Sequence, residues 1–273
     1  MIHVCFGLHD GTGRYSKFTG TAILSMLENY NAPPHSLKIH ILHDNTLTID
    51  NQNKFLYLAE RYNQIVQLHN VEKICADKIN KLVCLTPHIS SSIFTVGTLY
   101  RLLIPQILPD NVDKVIYLDS DIVVNMDIRE LWQIEPGDKI LTAVPEIFNL
   151  KDAEILKSYF PLCREGIVSC EDYFNAGITV VNLKLLRNEQ STLEDGMRFR
   201  KCCNNDQDIL NYFFSTSYLK LPLKFNRFVR FARFDNEPAR KGNIYHYVGS
   251  SVGHGLNFDL NDSFNRLWMN YFV

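Results

Sequence analysis

The chain has 273 residues, with 28 Lys and Arg against 30 Asp and Glu, a formal net charge of −2 and a pI near 6.5. That balance leaves no basic footprint for nucleic acid, because the cationic residues are spread along the chain rather than clustered. The apolar stretches are too short to span a bilayer and no leader-like opening is present. The seven cysteines are odd in number and lack a C-x-x-C pair, so the expectation is a soluble, unprocessed, cytoplasmic protein with its thiols reduced.

Apolar periodicity switches repeatedly between strand-like and helix-like, the pattern of an α/β fold with an open, mostly parallel sheet covered on both faces. In chain order it predicts a strand over 3–8, a helix over 15–29, a strand over 37–42, a helix over 49–62 and a strand over 65–69. A helical segment over 93–107 follows, stopped by Pro109-Asp110. An apolar strand over 115–118 comes next, then a short extended piece over 122–124, a helical turn over 129–132 and a strand over 140–144. Strand 178–182 runs into a helix from Leu183, a helix spans 206–214, and a short strand over 244–247 closes on Gly249. A terminal helix over 261–272 carries Leu267 and Trp268 on its apolar face. No repeat, low-complexity tract or Gly/Ser linker interrupts this, so a single domain over residues 1–273 is expected.

The segment Val115-Ile116-Tyr117-Leu118-Asp119-Ser120-Asp121 ends an apolar strand in two carboxylates one residue apart. Side chains alternate along a strand, so Asp119 and Asp121 would share a face, about 6 to 7 Å apart at Cα. Two hard oxygen donors so placed suit Mg²⁺ or Mn²⁺ carrying a phosphate group. Turn and helix-cap roles also suit aspartate and compete with that reading. In an open α/β sheet ligands sit beyond the carboxyl ends of the strands. The loop His9-Asp10-Gly11-Thr12-Gly13 after the first strand falls there, and it is neither a G-x-G-x-x-G nor a P-loop.

Five segments in order carry a family resemblance: Tyr100-Arg101, Tyr117 to Asp121, Tyr173 to Gly177, Asn205 to Leu210, and His246 to Gly249. Together they resemble glycosyltransferase family 8, which includes bacterial lipopolysaccharide galactosyl- and glucosyltransferases and glycogenin. The resemblance implies a GT-A fold, a UDP-hexose donor, a divalent cation (Mn²⁺, or Mg²⁺) and transfer with retention to a saccharide or glycan acceptor. It implies a metal set of Asp119, Asp121 and His246, and donor contacts from Asp10, Tyr15, Arg101, Asp119, Asn175, Gly177 and Gly249. Asp206 and Gln207 become the residues nearest the reacting carbon. It also implies that residues 1–125 form mainly the nucleotide half and 126–273 the donor-sugar and acceptor half. Retaining glycosidases place a nucleophilic carboxylate beside the reacting carbon; Gln207 is an amide, so a front-face substitution is expected instead.

Where the family commonly follows its last motif with Pro, a small residue and a diphosphate-gripping Lys, this chain reads Ser250-Ser251-Val252-Gly253-His254. Whether Asp10 or His9 takes the uracil-contacting position is open. The basic amphipathic tail of some members is not seen before Val273, which points away from membrane attachment and leaves peripheral contact open. Two other classes fit parts of the pattern: a sugar-nucleotide-binding protein without transfer activity, and a nucleotidyltransferase making UDP-sugars.

Overall fold

The computed structural model describes residues 1–85, 95–189, 206–249 and 259–273. Residues 93–94, Cys202, Cys203, Asn205 and Ser250 to His254 of the readings above lie outside them.

A seven-stranded sheet in the order β3-β2-β1-β4-β7-β6-β8 forms the centre. Its strands are β1 (Ile2–Leu8), β2 (Leu37–His43), β3 (Ile65–Asn70), β4 (Lys114–Leu118), β6 (Leu141–Pro145), β7 (Phe174–Asn182) and β8 (Tyr218–Lys220). β3, β2, β1 and β4 are parallel, β7 runs antiparallel between β4 and β6, and β6 pairs with β8 in parallel. The mostly parallel α/β sheet is therefore as expected, with β7 the exception. Chain order reverses between β1 and β4, so their carboxyl ends open the crevice in which such sheets bind ligands.

Alternation along the strands divides the apolar residues between two cores. Ile2, Val4, Phe6 and Leu8 of β1, Ile39 and Ile41 of β2, and Ile116 and Leu118 of β4 pack on Ile23, Met26 and Leu27 of helix α1 (Tyr15–Glu28) and on Phe55 of helix α2 (Ile49–Arg61). Cys5, Leu42, Val115 and Tyr117 point the other way, onto Leu99, Leu102, Leu103, Ile209 and Phe214. Both faces being covered explains why these strands read as continuous apolar runs rather than as half-polar ones. α2 has a conventional N-cap, Thr48 accepting from the Asn51 N–H. α1 has no side-chain N-cap; Asp10 accepts the Tyr15 N–H instead at 2.9 Å.

A second sheet, β5-β10-β9, joins Ile122–Asn125, Asn243–His246 and Arg227–Phe228. Strands of two to four residues carry too little periodicity to be paired from sequence. The helix over Ser263–Met269 closes over this sheet, with Trp268 fully buried among Phe18, Tyr247 and Phe264. The helical turns at Val71–Ile74, Ala76–Leu85, Ile147–Leu150, Ala153–Tyr159, Pro161–Arg164 and Val229–Phe234 are additions to the predicted set. Among the described residues no helix is long and apolar enough to cross a membrane.

Candidate active site

β4 ends at Leu118, and Asp119 and Asp121 flank a bend at Ser120 rather than extending the strand. The ladder still reaches one residue further, because the Asp119 N–H donates to the Gly177 carbonyl at 2.7 Å. Two more contacts pin the bend. Thr19 of α1 bonds Ser120 Oγ at 2.8 Å, and the Tyr247 N–H donates to the Asp121 carbonyl at 2.8 Å. The second contact ties the end of β10 to the acidic pair and brings His246 beside it.

His246 Nε2 lies 3.1 Å from Asp121 Oδ1 and 3.9 Å from Asp119 Oδ2. One ligand atom from each of the three lies within 4.8 Å of the other two. These are hard oxygens and an imidazole nitrogen, the donor set that suits a small divalent cation. Burial opposes a charged His246 ring, but Asp121 and then Asp119 outweigh it and lift the pKa above the ordinary value. Gly177 makes the convergence possible: a Cβ there would lie 2.5 Å from His246 Cε1, 2.6 Å from Asp119 Oδ2 and 2.9 Å from Asn175 Oδ1. Its place is inside β7, which begins at Phe174 rather than at the predicted 178.

Arg101, at the base of the site, is 9% exposed. Its Nη2 donates to Asp119 Oδ1 at 2.6 Å, its Nε pairs with Asp206 Oδ2 at 2.8 Å, its Nη1 donates to the Ala176 carbonyl at 2.7 Å, and the guanidinium lies 4.3 Å from the Tyr117 ring centre. A planar fork can satisfy several acceptors in fixed directions. Arg101 is thus a buried strut between two carboxylates. Burial raises the pKa of Asp206, Arg101 opposes that, and the result is about 6.

Gln207, the next residue of the helix Asp206–Phe214, is held at both ends of its amide. Its Oε1 accepts from the Ala176 N–H at 3.0 Å and Asn175 Nδ2 at 3.1 Å, while its Nε2 donates to Glu146 Oε1 at 3.2 Å. Glu146 is 2% exposed, also accepts from Asn175 Nδ2 at 2.9 Å, and among the described residues has no partner for Oε2; burial pushes its pKa up against the two amide donors. Asn175 Oδ1 accepts from the Gly177 N–H at 2.9 Å and from Asn226 Nδ2 at 2.7 Å, and Asn226 Oδ1 faces His246 Nδ1 at 3.0 Å.

The structure therefore brings Arg101, Asp119, Asp121, Asn175, Gly177, Asp206, Gln207 and His246 into one cluster. Tyr15 stands within electrostatic reach of it: burial raises its pKa, with Asp121 and Asp119 adding to the shift. Gly249 has φ +80°, a left-handed conformation that favours glycine. Asp10 stands apart from the cluster. It is 3% exposed and its carboxylate accepts from the Tyr15 N–H, Ser16 Oγ and Asn51 Nδ2, so it closes the start of α1. Glu146 and Asn226 were not picked out from the sequence. Glu146 did carry a signal: it follows β6, which runs parallel to β4, so its carboxylate stands at a strand end on the same edge of the sheet as Asp119. Asn226 carried none.

The sequence profile of glycosyl transferase family 8 matches residues 8–251. The chain is 28% identical over 231 residues to a lipopolysaccharide 1,2-glucosyltransferase of Escherichia coli, covering 82% of this chain and 62% of that protein. It is 29% identical over 217 residues to a lipopolysaccharide 1,3-galactosyltransferase of Salmonella typhimurium, covering 76% of this chain and 58% of that protein. It thus spans about three fifths of the length of these relatives. The crystal structure of the galactosyltransferase LgtC, in complex with donor and acceptor sugar analogs, superposes with a TM-score of 0.67 at 19% identity, covering 100% of this chain and 97% of that one. The two share the GT-A fold. On the family match over most of its length, the chain belongs to glycosyltransferase family 8.

Proposed function

We propose that this chain is a metal-dependent, retaining hexosyltransferase that moves glucose or galactose from a UDP-sugar to a hydroxyl of a saccharide or glycan acceptor, on the cytoplasmic side. The observation that carries the reading is the convergence of Asp119, Asp121 and His246 Nε2, three electron-pair donors whose ligand atoms lie within 4.8 Å of one another, with Arg101 holding Asp119 through Oδ1. Those three residues would hold Mn²⁺ or Mg²⁺, which when bound supplies Lewis-acid stabilisation of the charge on a departing diphosphate. Arg101 fixes the direction of Asp119 and Asp206 at once, so the cation site and the sugar side share one rigid support.

Retention without a nucleophile fits the residues next to the reacting position. Gln207 is a weak nucleophile whose carbonyl already accepts two hydrogen bonds. The buried carboxylate beside it, Glu146, uses one oxygen, Oε1, to hold both the Asn175 and the Gln207 amide, a positioning role. The reading is therefore front-face substitution: the acceptor hydroxyl attacks from the leaving-group side and its proton passes to the departing phosphate oxygen. Asp206 and Gln207 orient the sugar during that step. In support, the related proteins named above are glucosyl- and galactosyltransferases.

The test is release of UDP from radiolabelled UDP-glucose and UDP-galactose, with Mn²⁺ and with EDTA. Metal-dependent release, with a Gln207→Ala variant losing more in kcat than in UDP affinity, is the expected result. Equal release in EDTA would end the metal reading. A sugar recovered covalently on Glu146 would end the front-face one.

A further inference from the structure

We infer that Asn226 is a positioning residue for the cation site: a relay of two buried amides, Asn175 and Asn226, anchored on the Gly177 N–H, sets the tautomer and aim of His246. The inference rests on the proposed cation reading and goes beyond the three ligands to what holds one of them.

The logic runs outward from a group whose chemistry is fixed. A backbone N–H can only donate, so the Asn175 atom that it reaches at 2.9 Å is the carbonyl Oδ1. The other end of Asn175 is fixed independently, since Nδ2 lies 2.9 Å from the Glu146 carboxylate, which accepts. With Oδ1 an acceptor, the Asn226 atom 2.7 Å away must be its Nδ2 donor. Asn226 Oδ1 is thereby turned to His246 Nδ1 at 3.0 Å, and a carbonyl requires a hydrogen on that nitrogen. A neutral His246 then carries its proton on Nδ1 and presents the Nε2 lone pair towards Asp119 and Asp121. Metal-bound histidines ordinarily have their second nitrogen so engaged.

The relay is rigid. Asn226 is fully buried and Asn175 is 7% exposed. The Asn226 carbonyl accepts from Asn149 Nδ2 at 2.9 Å, while Asn149 Oδ1 accepts the Phe228 N–H at 3.0 Å, so the backbone from Asn226 to Phe228 is clamped. All four hydrogen-bonding positions of the Asn175 amide are taken by protein groups, one of them Gln207 Oε1. The same amide therefore orients groups on the sugar side and on the cation side.

The first experiment needs no substitution. A long-range ¹H–¹⁵N correlation spectrum of the metal-free protein, at a pH where the ring is neutral, should place the His246 proton on Nδ1; a proton on Nε2 overturns the relay. In the second, Mn²⁺ binding is followed by the loss of the free-ion EPR signal, with folding checked by melting temperature. Asn226→Ala should weaken Mn²⁺ binding by about 10- to 100-fold. Asn226→Asp keeps an acceptor for the Nδ1 hydrogen but sets its second oxygen against Asn175 Oδ1, so it should not regain the parent's affinity. Wild-type affinity in a folded Asn226→Ala or Asn226→Asp protein overturns the assignment. If neither variant folds, the tautomer spectrum decides. A parent protein that binds no Mn²⁺ refutes the cation reading instead, and the tautomer spectrum still decides the relay.

Discussion

Two acidic clusters stand beyond the carboxyl ends of strands in the parallel half of the sheet, and they differ in what surrounds the acids. Asp44, after β2, is encircled by donors: Oδ1 accepts the Thr46 N–H at 2.9 Å and the Thr46 hydroxyl, and Oδ2 accepts Tyr100 OH at 2.6 Å and faces His9 Nδ1 at 2.5 Å. Burial would raise its pKa, but His9, Thr46 and Tyr100 hold it well below the usual carboxylate range. Asp119 and Asp121, around the bend after β4, instead meet another electron-pair donor, His246 Nε2, whose other nitrogen is already committed to Asn226. A carboxylate ringed by donors is electrostatically complete. Asp119 is also held by Arg101 and Tyr117 through Oδ1, but its Oδ2 and Asp121 Oδ1 gather around an imidazole nitrogen, an arrangement that favours a cation or a proton between them. The contrast separates a structural aspartate from a ligand aspartate more sharply than the residue type does.

The contrast can be attacked in order of expected effect. Removing a ligand should be most severe: Asp121→Ala is expected to cost several kcal/mol of transition-state stabilisation, about 10³-fold or more in turnover, with Mn²⁺ binding lost in parallel. Activity within tenfold of the parent would place the cation elsewhere. Gly177→Ala deletes no ligand but puts a methyl group within 2.5–2.9 Å of His246, Asp119 and Asn175. Displacing His246 and Asp119 together should cost about 10²-fold in turnover, and unchanged Mn²⁺ affinity in that variant would show that the ligands can yield without loss.

Asp44→Asn probes the other cluster. It should lower stability by about 1–3 kcal/mol through donors left unmatched, measured by denaturant unfolding, and leave Mn²⁺ affinity as it was. Because the folded pKa of Asp44 is depressed, its contribution is present above the ordinary carboxylate pKa and is lost as pH falls through the depressed value. The variant should therefore show a shallower acid limb. Smallest is the effect of pH on the ligand cluster. The raised pKa of His246 means a proton competes for Nε2 from above the ordinary histidine value, so Mn²⁺ affinity should fall as pH drops, up to tenfold per pH unit. A flat profile between neutral and mildly acidic pH would remove His246 from the ligand set.

What could be read from the sequence depended on how far apart the interacting residues are. The long strands β1, β2 and β3 and the helices α1 and α2 were legible because each has enough residues to show a period. Asp119 and Asp121 stood out as two acids ending a buried strand, a pattern that turn and cap roles explain equally well, and only the ordered motifs set them with Gln207 and His246. Missed were the contacts that turn those residues into a site. Asn226 follows a short 3₁₀ turn, Leu223–Phe225, and meets Asn175 across 51 positions of sequence. Its identity as a relay exists only once β9 and β10 pair. Asp10 shows the converse. The family resemblance implied a donor contact for it, while local capping geometry turns its carboxylate to Tyr15, Ser16 and Asn51.

The hydrogen bond from the Asp119 amide to the Gly177 carbonyl continues the β4–β7 ladder past Leu118 and Ile178. The location of the acidic pair is therefore encoded in strand registry. A slip of one residue between β4 and β7 would reverse the facing of every side chain along the ladder, so cradle and sheet must assemble together or fail together.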